Sequence, residues 1–308
     1  MNILITGGSG YLAGILSKHL SSIGHKIFLL SRNINKLEYL DRSINKIEIN
    51  WKNKESIDFA CKDIDTILHT AGFNALDSLK MPKESFIFSK RSSQELIQSA
   101  IHSNVKKIIF FSSIHVYSNE LKGNIIENMD LKNKHPYAMS NIVAEEEFKK
   151  VQKQQYIDVV RLRLSNIYGK PAHVNSVDWK LLFNDVCKQA IQNKEVNLNS
   201  NGLQKRDLLP SSNFCNFIEY IVTNKPYYNI YNIASGSCFK VIDFVNLVLD
   251  RYNKLTNIKV PVFPSNKSQT NFEYSIDISR MKKHKIKLDY SHEKEIDEAL
   301  KFFINTLN

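Results

Sequence analysis

The sequence predicts an α/β fold in which a doubly wound, mainly parallel sheet is followed by a smaller, mixed α/β lobe. In the first half of the chain, short β-branched apolar runs alternate with segments of helical spacing, and a glycine-rich turn follows the first run. After about residue 170 the alternation gives way to helical segments with short extended pieces. Alternating strands and helices build parallel sheets with helices on both faces.

The elements of the first half are predicted from their apolar periodicity. Five apolar runs are candidate strands, at 2–6, 26–30, 66–69, 107–112 and 158–164. Between the first two, apolar residues recur at helical spacing, namely Leu12, Leu16, Leu20 and Ile23. We therefore assign 1–170 to the first domain.

The second half, 171–308, is predicted to form a smaller lobe. Its helical segments are expected near 178–193, 211–223, 241–253 and 292–306, with an extended piece at 228–234. Part of this region, about 205–240, is expected to return to the first domain. No flexible linker separates the halves, so we expect them to pack with a cleft between.

Composition narrows the class of protein. The chain has 308 residues, of which 43% are hydrophobic and 24% are charged, as in a globular protein with a substantial core. It has no long apolar run and no secretory leader, which predicts a cytoplasmic protein without a membrane partner. The charge of +11 is spread along the chain without aromatic interleaving, which argues against a nucleic-acid partner. Four scattered cysteines predict free thiols and no metal site.

The turn "ITGGSGYLAG" (5–14) predicts a dinucleotide site, because it follows a strand and opens a helix. Its spacing is Gly7-x-x-Gly10-x-x-Ala13. Gly7 permits a tight turn, Gly10 lets backbone amides approach a pyrophosphate, and Ala13 allows close contact between helix and sheet. The helix that follows points its positive dipole end at the phosphates.

The end of the second predicted strand indicates which dinucleotide binds. An Asp or Glu there would bind the ribose 2′-hydroxyl of NAD. This chain has Ser31 and Arg32 instead, in "LLSRN". A hydroxyl and a guanidinium suit a 2′-phosphate, so NADP(H) is favoured over NAD(H).

Six motifs occur in an order that identifies a family resemblance. They are "TGGSGYLAG", "HTAG" (69–72), "FFSSIHVY" (110–117), "YAMSN" (137–141), "RLSNIYG" (163–169) and "QKRDLLPSSN" (204–213). The chain thus resembles the extended short-chain dehydrogenase/reductases, which include nucleotide-sugar epimerases, dehydratases and ketoreductases. The resemblance implies a Rossmann domain that binds NAD(P) and a carboxyl-terminal lobe that binds a nucleotide sugar or other small carbonyl substrate. It also implies a homodimer through a helix pair that includes 136–154.

The resemblance implies a role for individual residues. Ser113 and Tyr137 match the catalytic pair, and Asn141 stands where the family has its catalytic lysine. Asn166 and Arg206 match substrate-binding positions, and His115 should share the face of Ser113. A second diphosphate-binding arginine before "DISR" (277–280) is not evident, and Lys267 is the candidate substitute. The expected cofactor-binding residues are Gly7, Ser9, Gly10, Tyr11, Leu12, Ser31, Arg32, Ala71 and Gly72.

Asn141 leaves three alternatives open, because the missing lysine would lower the pKa of Tyr137. Ser89 also replaces an asparagine that supports a water relay to that lysine in the family. In the first alternative, Asn141 holds the nicotinamide ribose and Tyr137 is a slow acid. In the second, another cation substitutes, the candidates being His115, His135 and Lys134. In the third, catalysis is lost while ligand binding remains.

The residues after Ser113 favour one reaction type over others. Ile114 and His115 stand where the family's dehydratases carry an Asp-Glu pair, which argues against dehydration. A site for NADP(H) suits net reduction, so the leading prediction is an NADP(H)-dependent 4-ketosugar reductase acting on a nucleotide-linked sugar. The alternatives are an NAD-dependent sugar-nucleotide 4-epimerase and a non-catalytic NAD(P)-binding protein.

Two further features are interpreted as structural. Trp51 and Trp179 are expected to be packing residues. The run of glutamates at 145–147 is expected to lie mid-helix on a solvated face.

Overall fold

A computed structural model describes residues 1–38, 40–152, 154, 157–267, 272–289 and 291–307. The strands in these ranges are β1 (Asn2–Ile5), β2 (Lys26–Ser31), β3 (Asn45–Glu48), β4 (Thr66–His69), β5 (Lys107–Ser113), β6 (Gly123–Ile125), β7 (Asp158–Leu164), β8 (Asn166–Tyr168), β9 (Val196–Leu198), β10 (Lys205–Pro210), β11 (Ile230–Ile233), β12 (Cys238–Lys240), β13 (Val262–Pro264) and β14 (Tyr274–Ile276). The α-helices are α1 (Tyr11–Ser22), α2 (Lys54–Cys61), α3 (Ala75–Lys80), α4 (Pro82–His102), α5 (Pro136–Gln152), α6 (Leu182–Gln192), α7 (Ser211–Thr223), α8 (Val241–Thr256), α9 (Ser279–Lys282) and α10 (His292–Leu307). Short 3-10 turns lie at Ile34–Leu37, Ile114–Val116 and Val174–Ser176.

The largest sheet has seven strands in the order β3-β2-β1-β4-β5-β7-β11. From β3 through β7, every neighbouring pair is parallel. The chain moves outward from β1 to β3 and then returns to the other side of β1 with β4. This order confirms the predicted doubly wound fold, and a crevice forms at such a reversal, beyond the carboxyl ends of β1 and β4.

The five strands predicted from apolar runs are all present, with ends shifted by at most one residue. The sequence did not indicate β3, a four-residue strand at the edge of the sheet. Its side chains are half-buried or exposed, so it lacks the apolar run of a central strand. It forms because it pairs in register with β2, from Phe28 opposite Asn45 to Ser31 opposite Glu48.

Contacts divide the chain into two compact units. Unit 1 comprises Met1–Asn119, Glu127–Leu164 and Ile221–Asn232. Unit 2 comprises Glu120–Ile126, Ser165–Tyr220 and Ile233–Asn308. The segment that returns to unit 1 is therefore Ile221–Asn232, and β6 joins unit 2 by pairing with β14.

Each unit has its own apolar core. In unit 1, the sheet packs against α2, α4 and α5 through fully buried residues such as Ile67, Leu96 and Phe148. In unit 2, helices α6, α8 and α10 share a core around Phe244 and Phe303. Trp179 packs against Phe303 with ring centroids 5.5 Å apart, as its packing interpretation predicts.

The expectation that glutamates 145–147 form a solvated face is wrong for two of the three. Glu145 is 1% exposed and Glu147 is 7% exposed, whereas Glu146 points to solvent. The face of α5 that carries Glu145 packs against the sheet, where Arg163 supplies a buried partner with Nη2 2.7 Å from Oε2. Ser112 donates to the same carboxylate at 2.5 Å. Periodicity alone cannot detect a burial that depends on a partner from another strand.

The described part of the chain contains no helix with both the length and the hydropathy needed to cross a bilayer. Its four cysteines are free thiols, three of them buried and Cys238 partly buried. Burial raises the pKa of the Cys61 thiol to about 12, so this thiol is unreactive at neutral pH.

Candidate active site

The glycine turn after β1 is pressed against the ends of β2 and β4. Gly7 has φ +70°, and a Cβ there would lie 3.0 Å from the backbone of Ala71. A Cβ on Gly8 would lie 2.6 Å from Cγ of Leu29. The Gly8 N–H donates to the Leu30 carbonyl at 2.7 Å. Glycine is required at both positions. The sequence did not single out Gly8, although the paired glycines were the available signal.

Helix α1 begins at Tyr11, directly after this turn. Its N-cap, Gly10, provides no side-chain hydrogen bond, and the first turn contains no acidic residue. Gly10 N–H donates to the Gly7 carbonyl at 2.8 Å, which closes the turn. The start of α1 therefore offers backbone donors and a positive dipole end to an anion such as a pyrophosphate.

A pocket of about 210 Å³ opens beside the glycine turn, at the point where the strand order reverses. Its lining contains seven of the nine residues expected to bind the cofactor, whereas Tyr11 and Leu12 do not line it. No lining residue in the described ranges is a carboxylate. The lining consists of Gly7, Gly8, Ser9, Gly10, Leu30, Ser31, Arg32, Asn33, Lys36, Ile49, Trp51, Thr70, Ala71, Gly72, Phe73 and Phe88.

The cationic end of this pocket is formed by Arg32 and Lys36, which are both exposed. Lys36 lies on the 3-10 turn that follows β2, and the sequence did not indicate it. The Ser31 hydroxyl is buried and donates to the Asn33 carbonyl at 2.8 Å. It thus shapes the turn that carries Arg32. The role of Ser31 in binding a 2′-phosphate stays a prediction.

Three aromatic rings also line this pocket. The ring of Phe88 lies 5.8 Å from Trp51 and 5.7 Å from Phe73, both in edge-on geometry. The interpretation of Trp51 as a packing residue is therefore incomplete, because its half-buried ring also lines the pocket. An apolar, aromatic wall of this kind suits a flat heterocycle.

Ser113 and Tyr137 meet in unit 1 through side-chain hydrogen bonding. Ser113 ends β5, and Tyr137 is the second residue of α5. Burial raises the pKa of Tyr137, and hydrogen bonds with Ser113 and with Asn141 partly oppose this increase. The net direction is upward, so Tyr137 is a neutral phenol at neutral pH.

Asn141 lies one helical turn after Tyr137 and brings no charge to it. Its Nδ2 donates to the Tyr137 backbone carbonyl at 2.8 Å. Of the suggested substitutes for the lysine, His135 accepts the Tyr137 N–H with Nδ1 at 3.2 Å. Lys134 lies on a different groove, between α4 and α5. The substitution of the family's lysine by another cation therefore stays a prediction.

His115 adjoins this pair, because its N–H donates to Ser113 Oγ at 3.2 Å, whereas Ser89 lies on α4. The carbonyl of His115 accepts a hydrogen bond from Asn133 Nδ2 at 2.6 Å, within the 3-10 turn after β5. Ser89 is 9% exposed on α4, and its carbonyl accepts the Ser93 hydroxyl at 2.7 Å.

The two substrate candidates Asn166 and Arg206 lie in unit 2, on the neighbouring parallel strands β8 and β10. Asn166 Nδ2 donates to the Asp207 carbonyl at 2.8 Å, next to Arg206. The fully buried Asp207 carboxylate accepts the Ser165 and Ser235 hydroxyls, which fixes this sheet. Lys267 is partnered through its carbonyl with the Asn201 N–H at 3.1 Å, and the chain from 268 to 271 lies outside the described residues.

Comparison with known proteins gives consistent matches over most of the chain. A sequence model of the NAD dependent epimerase/dehydratase family matches residues 3–234. The human dTDP-D-glucose 4,6-dehydratase is 25% identical over 257 residues, which are 78% of this chain and 71% of that protein.

Solved structures match the fold over its full length. A UDP-N-acetylglucosamine 4-epimerase from Methanobrevibacter ruminantium, in complex with UDP-N-acetylmuramic acid, has a TM-score of 0.85 at 20% identity and covers 99% of this chain and 98% of its own. A UDP-glucuronic acid 4-epimerase from Bacillus cereus, in complex with UDP-glucuronic acid and NAD, has a TM-score of 0.81 at 18% identity with full coverage of both chains. At these identities the likeness shows a shared fold.

Proposed function

The chain belongs to the NAD dependent epimerase/dehydratase family, and we propose that it is a sugar-nucleotide 4-epimerase, the alternative that stood second in the sequence-based prediction. The observation that carries the proposal is the hydrogen-bonded pair of Ser113 and Tyr137, held in the same unit as the glycine turn. The structural relatives with bound UDP-sugars are named 4-epimerases, which supports the same reaction here.

The chemistry of the pair matches what inversion at a sugar carbon requires. A nicotinamide dinucleotide held at the glycine turn would supply reversible hydride transfer. In its deprotonated form, Tyr137 takes the proton of the reacting sugar hydroxyl at its phenolate oxygen and later gives it back. The Ser113 hydroxyl orients the reacting oxygen beside that of Tyr137. The Asn141 side chain donates to the Tyr137 backbone carbonyl and so stabilises the first turn of α5. It supplies no charge to the Tyr137 phenol.

The pocket beside the glycine turn fits the proposed cofactor. The turn admits no side chain at Gly7 or Gly8, which leaves its backbone open to a pyrophosphate. The aromatic wall would hold the adenine, and the start of α1 would hold the phosphates. These are roles for this chain's residues that binding measurements can test.

Dehydration is not proposed, because the two positions after Ser113 carry no acid–base pair. Ile114 is 1% exposed and belongs to the core, and His115 follows it in the 3-10 turn. Elimination of water needs groups that move protons at the neighbouring carbon as well. Ile114 has none.

A 4-ketosugar reductase is the second candidate, and the cationic end of the cofactor pocket favours it. Arg32 and Lys36 flank the pocket without a carboxylate, which suits the 2′-phosphate of NADP(H). A cell keeps this cofactor for net reductions, whereas an epimerase returns its cofactor unchanged. The preference for NADP(H) over NAD(H) is part of this second proposal.

One experiment separates the two reactions from a binding protein. The purified chain is incubated with UDP-, GDP-, CDP- and dTDP-sugars and cofactor, and products are followed by NMR together with cofactor absorbance. An epimerase forms the C4 isomer with no net change in absorbance. A reductase consumes NADPH in proportion to a 4-ketosugar substrate. Ligand binding without either product in wild type, and no difference from Tyr137→Phe, would contradict an enzymatic role.

We also propose that the chain forms a homodimer through α4 and α5. The two helices form an apolar groove of about 390 Å³ lined by Pro82, Lys83, Phe86, Ile87, Lys134, Pro136 and Met139. Ile87 is 53% exposed, and the neighbouring α3 exposes Leu76 and Leu79 at 45% and 52%. We infer that a second copy of the chain covers this groove. In a two-fold symmetric dimer the same apolar patch of each copy packs against that of the other, so no different complementary surface is needed.

A further inference from the structure

His69 is a buried histidine that has no part in the proposed proton transfer. It ends β4 and is 1% exposed. The rings of Phe110 and Phe148, which belong to the apolar core of unit 1, lie with their centroids 5.8 Å from its own. Burial lowers the pKa of His69 to about 3, so its imidazole is neutral at physiological pH. A polar ring in such surroundings costs free energy unless a hydrogen bond compensates.

The compensating hydrogen bond joins His69 to the neighbouring strand β1. Nδ1 of His69 lies 2.9 Å from Oγ1 of Thr6, which is fully buried and directly follows β1. The same Thr6 oxygen accepts the Ala71 N–H at 3.0 Å. The Thr6 carbonyl accepts the Thr70 hydroxyl at 2.5 Å. Thr6 therefore joins the glycine turn, which begins at the next residue, to the segment that follows β4.

His69 also contacts the aromatic wall of the cofactor pocket. Its ring centroid lies 5.9 Å from that of Trp51, in edge-on geometry. Trp51 and Ala71 line the pocket, whereas His69 and Thr6 lie behind that lining. One buried side chain thus supports the lining at two places, the backbone of Ala71 through Thr6 and the indole of Trp51 by direct ring contact. An aliphatic side chain would fill this apolar layer and would provide neither contact.

We propose that His69 is a positioning residue for the nicotinamide dinucleotide. Its hydrogen bond to Thr6 holds the glycine turn beside Ala71, and its ring holds the indole of Trp51 in the wall of the pocket. A site that is held in its binding geometry before the ligand arrives loses less conformational entropy on binding. The inference rests on the proposed function, in which this pocket binds the cofactor.

Isothermal titration calorimetry with NADPH and NADH tests the hydrogen bond, using whichever of the two binds wild type more tightly. His69→Leu should weaken that binding about tenfold, because the Thr6 hydroxyl stays buried without this partner. His69→Asn, whose amide can reach the Thr6 hydroxyl from the same position, should bind within about threefold of wild type. Thr6→Val removes the hydrogen bond from its other end and should lose at least as much as His69→Leu. It replaces His69→Leu should that variant not fold.

Tryptophan fluorescence tests the ring contact without any ligand. The chain has two tryptophans, so Trp179→Phe leaves Trp51 as the one that remains. In that background His69→Leu and His69→Asn both remove the aromatic partner of the indole, so acrylamide should quench Trp51 about twofold more efficiently. His69→Phe keeps a ring but has no nitrogen. It should preserve the quenching seen with His69, while its affinity for the dinucleotide should be as low as that of His69→Leu.

Val159→Ala is the control for a loss of stability alone. Val159 is buried in the same core on β7, a strand that is described in full and contributes no residue to the pocket lining. This variant should unfold at a lower temperature and still bind the dinucleotide within about twofold of wild type.

Three outcomes would overturn the inference alone. They are binding by His69→Leu as tight as that of wild type, an equal loss in Val159→Ala, and binding by His69→Asn no tighter than that of His69→Leu. A wild type that binds neither dinucleotide would overturn the proposed cofactor site as well, which distinguishes the failure of that proposal from the failure of this one.

Discussion

The protonation of Tyr137 sets the pH dependence of the proposed reaction. Burial raises the pKa of its phenol, and hydrogen bonds with Ser113 and Asn141 oppose this increase only in part. A base must be deprotonated to take the sugar proton, so the rate of sugar oxidation should increase as pH rises from neutral towards that raised pKa. Stopped-flow reduction of the bound cofactor by the best sugar nucleotide measures this, and Tyr137→Phe should remove both the rate and its pH dependence.

Replacing Asn141 tests whether the missing lysine limits the reaction. Asn141→Lys places an ammonium one turn from Tyr137, lowers its pKa and should raise the rate at neutral pH by roughly one to three powers of ten. Because the pKa of Tyr137 is lower in this variant, the increase of the rate with pH should begin at a lower pH. Asn141→Gln, which restores no charge, is the matched control. A wild type that is fast and is slowed by Asn141→Lys would contradict this account.

Arg32 and Lys36 decide the cofactor preference if they bind a 2′-phosphate. Arg32→Ala and Lys36→Ala should each weaken NADPH binding by about tenfold, because a charged contact to phosphate is lost. NADH, which lacks that phosphate, should bind all three proteins equally. Isothermal titration calorimetry provides the affinities. Tighter binding of NADH than of NADPH to wild type would remove the observation that favours a reductase.

At the scale of elements, helix α5 is fixed to the sheet by the buried pair of Glu145 and Arg163. Glu145→Gln removes the carboxylate charge that compensates the buried Arg163 guanidinium, which should cost about 3–5 kcal/mol in the free energy of unfolding. Glu146→Gln, one residue on and exposed, should change that free energy by no more than about 0.5 kcal/mol. Urea unfolding followed by circular dichroism compares them. Similar unfolding midpoints would show that the pair contributes little.

The exposed face of α4 and α5 predicts the oligomeric state. Ile87→Lys places a charge in the apolar groove and should weaken dimerisation by at least about tenfold, because that charge would be desolvated in the interface. Phe59→Lys is the control, since Phe59 is 70% exposed but lies on α2, outside the groove. Analytical ultracentrifugation measures the dissociation constants. A wild type that stays monomeric at high micromolar concentration would refute the dimer.

At the scale of the whole molecule, the proposed ligands should protect different units. The cofactor pocket belongs to unit 1, whereas Asn166 and Arg206 belong to the small sheet of unit 2. In hydrogen exchange, NADPH should slow the amides of 6–14 and 30–36, because backbone donors there bind phosphate. A nucleoside diphosphate should slow those of β8 and β10. Protection of unit 1 alone by both ligands would argue against the assignment of Asn166 and Arg206.

The sequence by itself determined the features that depend on local periodicity and local backbone geometry. Five strands and the glycine turn were predictable, because apolar runs of this length and a left-handed residue such as Gly7 are specified by nearby residues. The family assignment came from the order of motifs. The edge strand β3 was not predictable, since few of its side chains need burial.

Only the tertiary structure decided features that join distant parts of the chain. Gly8 is needed because β2 approaches it, and Lys36 belongs to the cofactor pocket because its 3-10 turn folds back to that pocket. Glu145 is buried because Arg163, 18 residues away, reaches it from β7. The sequence pattern indicates which side chains can be buried. Residues on other elements determine whether a buried charge is neutralised and which groups contact it.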